Sequence, residues 1–154
     1  MRSIALTIGA LCAFGGAALA DVSGLRRADG LDWRPAPSDL PSGAEVAVLY
    51  GDPMSSGPFV VRLRAPAGYQ VAAHKHPDLE TITVISGVLR YGEGQRLDPR
   101  SEAFVHAGDF FAAPAGMSHW IAINEDAVIQ VSGTGPWKID YIDPRDRPRA
   151  AQLN

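Results

Sequence analysis

From Glu45 onward the chain consists of short runs in which hydrophobic and polar residues alternate. In one such run Val61 and Leu63 alternate with Arg62 and Arg64, which is the period of a strand with one buried face. Glycine and proline interrupt the runs at roughly eight- to twelve-residue intervals, a spacing that predicts an all-β sandwich or barrel. The predicted strands are Glu45–Tyr50, Phe59–Arg64, Gln70–His76, Glu80–Ile85, Val88–Tyr91, Phe110–Ala113, Ser118–Asn124, Ala127–Ser132 and Lys138–Ile142.

The segments on either side of these strands are polar and rich in proline. Residues 21–43 contain three prolines and are interpreted as an extended N-terminal arm. Leu31 and Trp33 within it are expected to anchor the arm on the barrel or on a second subunit. Residues 44–142 then form the barrel, and residues 143–154 form a polar C-terminal tail.

Residues 1–20 have the pattern of a secretory signal peptide. Arg2 provides a basic start, residues 4–19 are apolar or small, and Ala18-Leu19-Ala20 resembles a cleavage site that leaves Asp21 as the first mature residue. The rival interpretation is a retained membrane anchor, although the apolar stretch is short and rich in small residues. We therefore expect a periplasmic or secreted protein, with no membrane contact after leader removal.

Composition narrows the class of protein. Hydrophobic residues make up 46% and charged residues 20% of the chain, as in ordinary globular domains. Cys12, which is the sole cysteine, lies in the leader, so the mature chain has no thiolate for catalysis or metal binding. Cleavage also removes Arg2 and changes the formal net charge from -3 to -4, which gives no electrostatic reason to expect a nucleic acid partner.

Candidate metal ligands cluster around residues 74–80. His74 and His76 are two apart, so on a strand they project from one face, about 6.6–6.8 Å apart along the chain. Pro77 favours the end of that strand, and Glu80 then opens the next one. Together with His119, which follows a turn farther along the chain, these residues would supply three imidazoles and one carboxylate and leave room for water or substrate.

Two motifs that contain these residues resemble those of the cupin superfamily. The first is Gly68, five residues, His74-x-His76, three residues, Glu80, six residues and Gly87. The second begins at Gly108 and continues through Pro114-Ala115-Gly116 to His119, with Asn124 one residue beyond its usual position. The resemblance implies a single-domain cupin with a double-stranded β-helix, or jelly-roll, barrel. It also implies that the metal ligands are His74, His76, Glu80 and His119.

A narrower resemblance links the chain to exported bacterial cupins of unassigned function. It is carried by Tyr91-Gly92-Glu93-Gly94, Leu97-Asp98-Pro99 and Thr134-Gly135-Pro136-Trp137. That resemblance implies a location and a fold but no substrate.

The cofactor expected from this ligand set is one divalent transition metal ion: iron, manganese, zinc, copper or nickel. A redox metal would support dioxygenase-type cleavage of a small oxygenated molecule, whereas a non-redox metal would support isomerisation or hydrolysis. Glu80 is either a ligand or a catalytic base. Ser118 precedes His119 but has no triad context, which argues against serine catalysis.

Other residues near the motifs are candidates for the wall of a small-molecule pocket: Arg62, Arg64, Tyr69, Tyr91, Phe111, Met117 and Trp120. Each could instead have a purely structural role, either in the barrel core or on a solvent-exposed strand face. If Arg62 or Arg64 pointed into the barrel, it would indicate an anionic substrate. His106 belongs to neither motif and is expected at the surface. Two non-enzymatic classes remain open: a barrel that binds a small ligand or a metal without turnover, and a homodimer that exchanges the N-terminal arm.

Overall fold

The computed structural model describes residues 24–149, which form two antiparallel β-sheets. The strands are β1 (Arg34–Pro35), β2 (Glu45–Tyr50), β3 (Gly57–Ala65), β4 (Gln70–Lys75), β5 (Glu80–Ser86), β6 (Val88–Glu93), β7 (Glu102–His106), β8 (Phe110–Ala113), β9 (His119–Ile123), β10 (Ala127–Gly135) and β11 (Asp140–Tyr141). Short 3-10 turns cover Ala28–Gly30, Pro99–Ser101 and Pro144–Asp146.

The sheets have the strand orders of a jelly roll. One sheet contains six strands in the order β1-β2-β3-β10-β5-β8, and the other contains five in the order β11-β4-β9-β6-β7. Strands that are adjacent in the chain thus often lie in different sheets, and the inner faces of both sheets contribute to one large hydrophobic core. The predicted all-β jelly-roll barrel is confirmed.

The alternating pattern of β3 places hydrophobic side chains in the core, as predicted. Val61 is fully buried and Leu63 is nearly so, whereas Arg64 is exposed on the opposite face. Burial of such alternating side chains removes apolar surface from water and supplies the main stabilisation of the barrel.

A β-bulge in β4 determines which side chains of that strand face inward. Val71 pairs with Ile121 and His74 pairs with His119, so β4 has one residue more than β9 between the two pairs. Because an extra residue shifts the side-chain alternation by one position, Val71 and His74 both face the core although they are three residues apart.

The strand prediction differs from the structure in several places. The predicted strand Lys138–Ile142 is shorter, at Asp140–Tyr141. The strands Arg34–Pro35 and Glu102–His106 were not predicted. The latter pairs only with β6 at the edge of its sheet and exposes both Ala103 and Phe104, so it lacks the alternation that burial of one face imposes.

The predicted leader, residues 1–20, lies outside the described residues, and the predicted segment boundaries stay predictions. Within the predicted arm, β1 pairs with β2 and Trp33 packs on Arg64, whose guanidinium carbon lies 4.5 Å from the ring centroid. The arm therefore contacts the barrel of its own chain. In residues 24–149, no helix has the length and apolar character needed to cross a membrane.

Candidate metal centre

The four predicted ligands come from both sheets and meet between them. His74 on β4 and His119 on β9 are direct cross-strand neighbours, and their ring centroids are 4.3 Å apart. His76 follows directly after β4, and Glu80 begins β5 in the opposite sheet. The jelly roll thus brings residues 74, 76, 80 and 119 into one buried cluster.

The ligand atoms of this cluster converge. One ring nitrogen from each of His74, His76 and His119 lies within 4.8 Å of the others. Oε2 of Glu80 is 3.2 Å from Nε2 of His76 and 3.7 Å from Nε2 of His119. All four residues are at most 5% exposed, so water contributes little to their solvation.

Backbone carbonyls determine which imidazole nitrogens face the centre of the cluster. Nδ1 of His74 lies 2.7 Å from the carbonyl oxygen of Ala72, and Nδ1 of His76 lies 2.7 Å from that of Lys138. Since a carbonyl oxygen can only accept a hydrogen bond, each Nδ1 carries a proton. In the neutral rings Nε2 therefore presents a lone pair, and these outward Nδ1–H bonds are typical of metal-binding histidines.

His119 follows the same arrangement with a longer contact. Its Nδ1 lies 3.3 Å from the carbonyl oxygen of Met117, and its Nε2 is buried without a hydrogen-bond donor or acceptor in good geometry. The backbone of Met117, a predicted wall residue, thus helps to orient the His119 ring.

The contact between Glu80 and the imidazoles requires a cation. A carboxylate oxygen and an unprotonated Nε2 both accept hydrogen bonds, so their close approach in a buried site is repulsive unless a proton or a metal ion lies between them. A proton on His76 bridges a single pair of these atoms, whereas one metal ion can satisfy all three Nε2 atoms and the carboxylate together. The donor set, three imidazole nitrogens and one oxygen, fits a divalent transition metal.

Burial and neighbouring charges determine the protonation of these groups. Burial, reinforced by His119 and His76, lowers the pKa of His74 to about 3, so this ring is neutral at physiological pH. Burial also opposes protonation of His76, but the hydrogen bond to Glu80 and the charge of Glu80 outweigh it and raise the His76 pKa. Although burial favours the neutral acid, the neighbouring His119 and His76 imidazoles outweigh it and lower the Glu80 pKa.

A cavity of about 40 Å³ adjoins the cluster. Its lining includes His74, His76 and Glu80, and it is otherwise almost entirely aliphatic or aromatic. Tyr69, a predicted wall residue, lines it too, but its hydroxyl donates to the carbonyl oxygen of Pro41 in the arm. At roughly 10–15 Å³ for each water molecule, the cavity has room for a few waters and not for a flavonol-sized molecule.

Tyr91 and Phe111 form an aromatic pair beside His119. Their ring centroids are 4.2 Å apart, and the Tyr91 ring is 5.9 Å from that of His119. The Tyr91 hydroxyl is buried and has no hydrogen-bond partner among residues 24–149. Burial, with smaller contributions from Glu93 and Glu80, raises its pKa to about 12, so the hydroxyl keeps its proton.

Trp120 does not line the pocket. It is fully buried in a separate cluster with Ala73 and Ala122, on the face of β9 opposite to His119. A Cβ atom at Gly92 would lie 2.3 Å from the Trp120 ring, which shows how tightly the ring packs against the backbone of β6. Trp120 therefore packs on the side of β9 that faces away from the metal centre.

The two arginines of β3 also lie away from the metal centre. Nε of Arg64 donates to Oε2 of Glu45 at 2.6 Å on the outer face of the six-stranded sheet, and Arg62, two residues earlier, projects from the same face. The condition for an anionic substrate, an inward arginine in β3, is not met.

Sequence reasoning missed the contribution of Trp137 and Lys138. Nε1 of Trp137 donates to Oε1 of Glu80 at 2.9 Å, and the Lys138 carbonyl accepts from His76. Both partners are distant in the chain, 57 and 62 residues away, so no local pattern indicates these contacts.

Comparison with known proteins identifies related sequences and folds. Residues 24–138 match the family model described as the ChrR cupin-like domain, whereas no curated protein gives a significant match. The polyketide cyclase RemF from Streptomyces resistomycificus superposes with a TM-score of 0.63 at 12% identity over 77% of this chain and 86% of RemF.

Two further structures have a similar fold. A putative acetylacetone dioxygenase from Methylibium petroleiphilum has a TM-score of 0.62 at 19% identity over 86% of this chain and 90% of that protein. The complex of Rhodobacter sphaeroides SigE with the anti-sigma ChrR contains a chain with a TM-score of 0.51 at 22% identity, over 70% of this chain and 50% of that one. At such identities the likeness shows the fold alone.

Proposed function

This chain belongs to the family of ChrR cupin-like domains, and we propose that it is an exported metalloprotein that holds one divalent transition metal ion and acts on a small oxygenated molecule. One observation supports the metal site: one buried ring nitrogen from each of three histidines lies within 4.8 Å of the others, and Oε2 of Glu80 lies 3.2 Å from Nε2 of His76 and 3.7 Å from Nε2 of His119. Iron, manganese, zinc, copper and nickel all suit this donor set.

The protein's own residues would prepare this site for chemistry. The bound metal would supply Lewis-acid polarisation or, for a redox metal, reaction with dioxygen. Three imidazoles and one carboxylate would leave coordination positions free, and the cavity beside His74, which has aliphatic walls, has room for a few waters or a small ligand. Dioxygenase-type cleavage and isomerisation both use such positions.

The hydroxyl of Tyr91 is an argument that the bound molecule contains oxygen. Its buried hydroxyl has no partner in the described part of the chain, and an unpaired buried hydroxyl is costly. A carbonyl or enolate oxygen beside His119 would accept a hydrogen bond from it. Tyr91 does not line the cavity beside His74, and the small volume of that cavity limits a ligand there to a few heavy atoms.

Turnover tests the enzymatic part of this proposal. The mature protein is reconstituted separately with iron, manganese, zinc, copper and nickel, and oxygen uptake and product formation are followed with small diketones, flavonols and sugar acids. We expect metal-dependent turnover of a small diketone and none of a flavonol or a sugar acid, because the cavity is too small for either of these larger molecules. Metal binding without turnover of any substrate would refute the enzymatic assignment.

The alternative is a barrel that binds a metal or a small ligand without catalysis. The burial of the site favours this alternative, since the four proposed ligand residues are at most 5% exposed and leave little access for a substrate. The ChrR protein after which the family is described is an anti-sigma factor in complex with SigE, which is a binding function. The turnover experiment separates the two candidates because a binding protein retains the metal and gives no product.

Export is supported by the leader pattern of residues 1–20. Expression of the full chain in a Gram-negative host is expected to yield periplasmic protein that begins at Asp21. N-terminal sequencing and the intact mass check this, with a chain lacking residues 2–20 as the control that stays in the cytoplasm. An uncleaved, membrane-bound product would instead establish the retained anchor.

A further inference from the structure

We propose that Trp137 is a positioning residue that limits Glu80 to coordination of the metal through one oxygen, Oε2. This inference rests on the proposed metal site. It starts from the hydrogen bond of 2.9 Å from the indole Nε1–H of Trp137 to Oε1 of Glu80.

The two oxygens of Glu80 have different partners. Oε1 accepts from Trp137, whereas Oε2 faces Nε2 of His76 at 3.2 Å and Nε2 of His119 at 3.7 Å. Since Glu80 is buried, loss of the Trp137 bond would leave Oε1 without a donor at considerable cost. The carboxylate thus keeps Oε2 toward the imidazoles, and Oε1 would stay out of the coordination sphere of a bound metal.

Trp137 is itself fixed by contacts outside the metal centre. Its backbone N–H donates to the carbonyl oxygen of Pro53 at 2.7 Å, and its ring packs on Phe59, with the ring centroids 5.6 Å apart. Phe59 is 1% exposed and belongs to the main core. The position of the indole N–H is therefore determined by the core.

Lys138, the residue after Trp137, orients a second proposed metal ligand, His76. The carbonyl oxygen of Lys138 accepts the Nδ1–H bond of His76 at 2.7 Å. The dipeptide Trp137-Lys138 therefore orients both the carboxylate ligand and one imidazole ligand. Hydrogen bonds of this kind to metal ligands tune metal affinity, and their loss typically costs about 10–100-fold.

Trp137→Phe tests the proposal because it removes the N–H and retains an aromatic ring against Phe59. Co²⁺ serves as the probe, since its visible absorption reports coordination number and geometry. We expect a Kd for Co²⁺ about 10–100-fold higher than that of the wild type, together with a changed Co²⁺ spectrum as Glu80 reorients. Trp33→Phe makes the same chemical change on the outer face, beside Arg64, and should leave both readouts unchanged.

The outcomes separate this inference from the proposed function. Absence of Co²⁺ binding by the wild type refutes the metal site, and this inference with it. Binding by the wild type with the same Kd and spectrum in Trp137→Phe refutes the positioning role alone. A variant with weaker binding but an unchanged spectrum also counts against it, because simple destabilisation would have that effect.

If Trp137→Phe does not fold, NMR on two proteins that retain Trp137 tests its hydrogen bond to Glu80. The assigned indole N–H proton resonance of Trp137 is recorded by NMR in the wild type and in Glu80→Gln. The exchange of a carboxylate for a neutral amide weakens the bond, so an upfield shift is expected for Trp137 and not for Trp33. An unshifted Trp137 resonance would show that its N–H bond to Glu80 does not form.

Discussion

Replacement of His119 by alanine is expected to abolish stoichiometric metal binding. The wild type should carry about one metal ion per chain, because it has one converging set of ligands. His119 is fully buried and contributes one of the three converging ring nitrogens. Alanine at this position leaves a site with three donor residues and a void in place of the imidazole. We expect at least 100-fold weaker binding, measured by elemental analysis after dialysis and by titration, and the same for His74→Ala.

His106 provides the matched control for these variants. The chain has four histidines, and the side chain of His106 is 63% exposed on β7, outside the cluster. His106→Ala should therefore retain one metal per chain. Circular dichroism establishes that each variant is folded. Retention of the metal by folded His74→Ala and His119→Ala would disprove the ligand assignment.

Removal of the metal is expected to lower the free energy of unfolding by about 3–4 kcal/mol. A ligand that binds only the folded state at 100 to 1,000 times its Kd stabilises by about 2.7–4.1 kcal/mol. For a domain of this size the corresponding loss in Tm is about 10 °C or more. Unfolding by urea or heat, before and after dialysis against a chelator, measures the effect.

The same experiment on His119→Ala separates metal loss from other effects of the chelator. That variant should unfold at the same temperature with and without chelator, because it holds no metal to remove. Addition of the metal back to the wild-type apoprotein should restore its Tm. An apoprotein as stable as the metal-loaded wild type would contradict linkage between folding and this site.

Much of the candidate centre could be predicted from local sequence. The spacing of His74 and His76 places both side chains on one face of a strand for any ordinary strand geometry, and Glu80 follows after Pro77 at the start of the next strand. The two cupin motifs then connected His119 to this group across the 38 residues between Glu80 and His119. The structure brings all four side chains together.

The wall of the site could not be predicted in the same way. Trp120 is adjacent to His119 in the chain, yet strand alternation places it on the opposite face of β9, where Ala73 packs against it. Arg62 and Arg64 likewise project outward from β3. Proximity in sequence was a poor guide here because neighbouring residues in a strand point to opposite faces.

The sequence alone determined the strand periodicity, the fold class and the identity of the four candidate ligands, because each depends on spacing over a few residues or on a motif. Only the tertiary structure decided the orientation of these side chains and their hydrogen-bond partners. The bulge that turns His74 inward depends on the pairing of β4 with β9, and Trp137 reaches Glu80 across 57 residues. Such contacts depend on the packing of distant strands, which no local pattern of residues specifies.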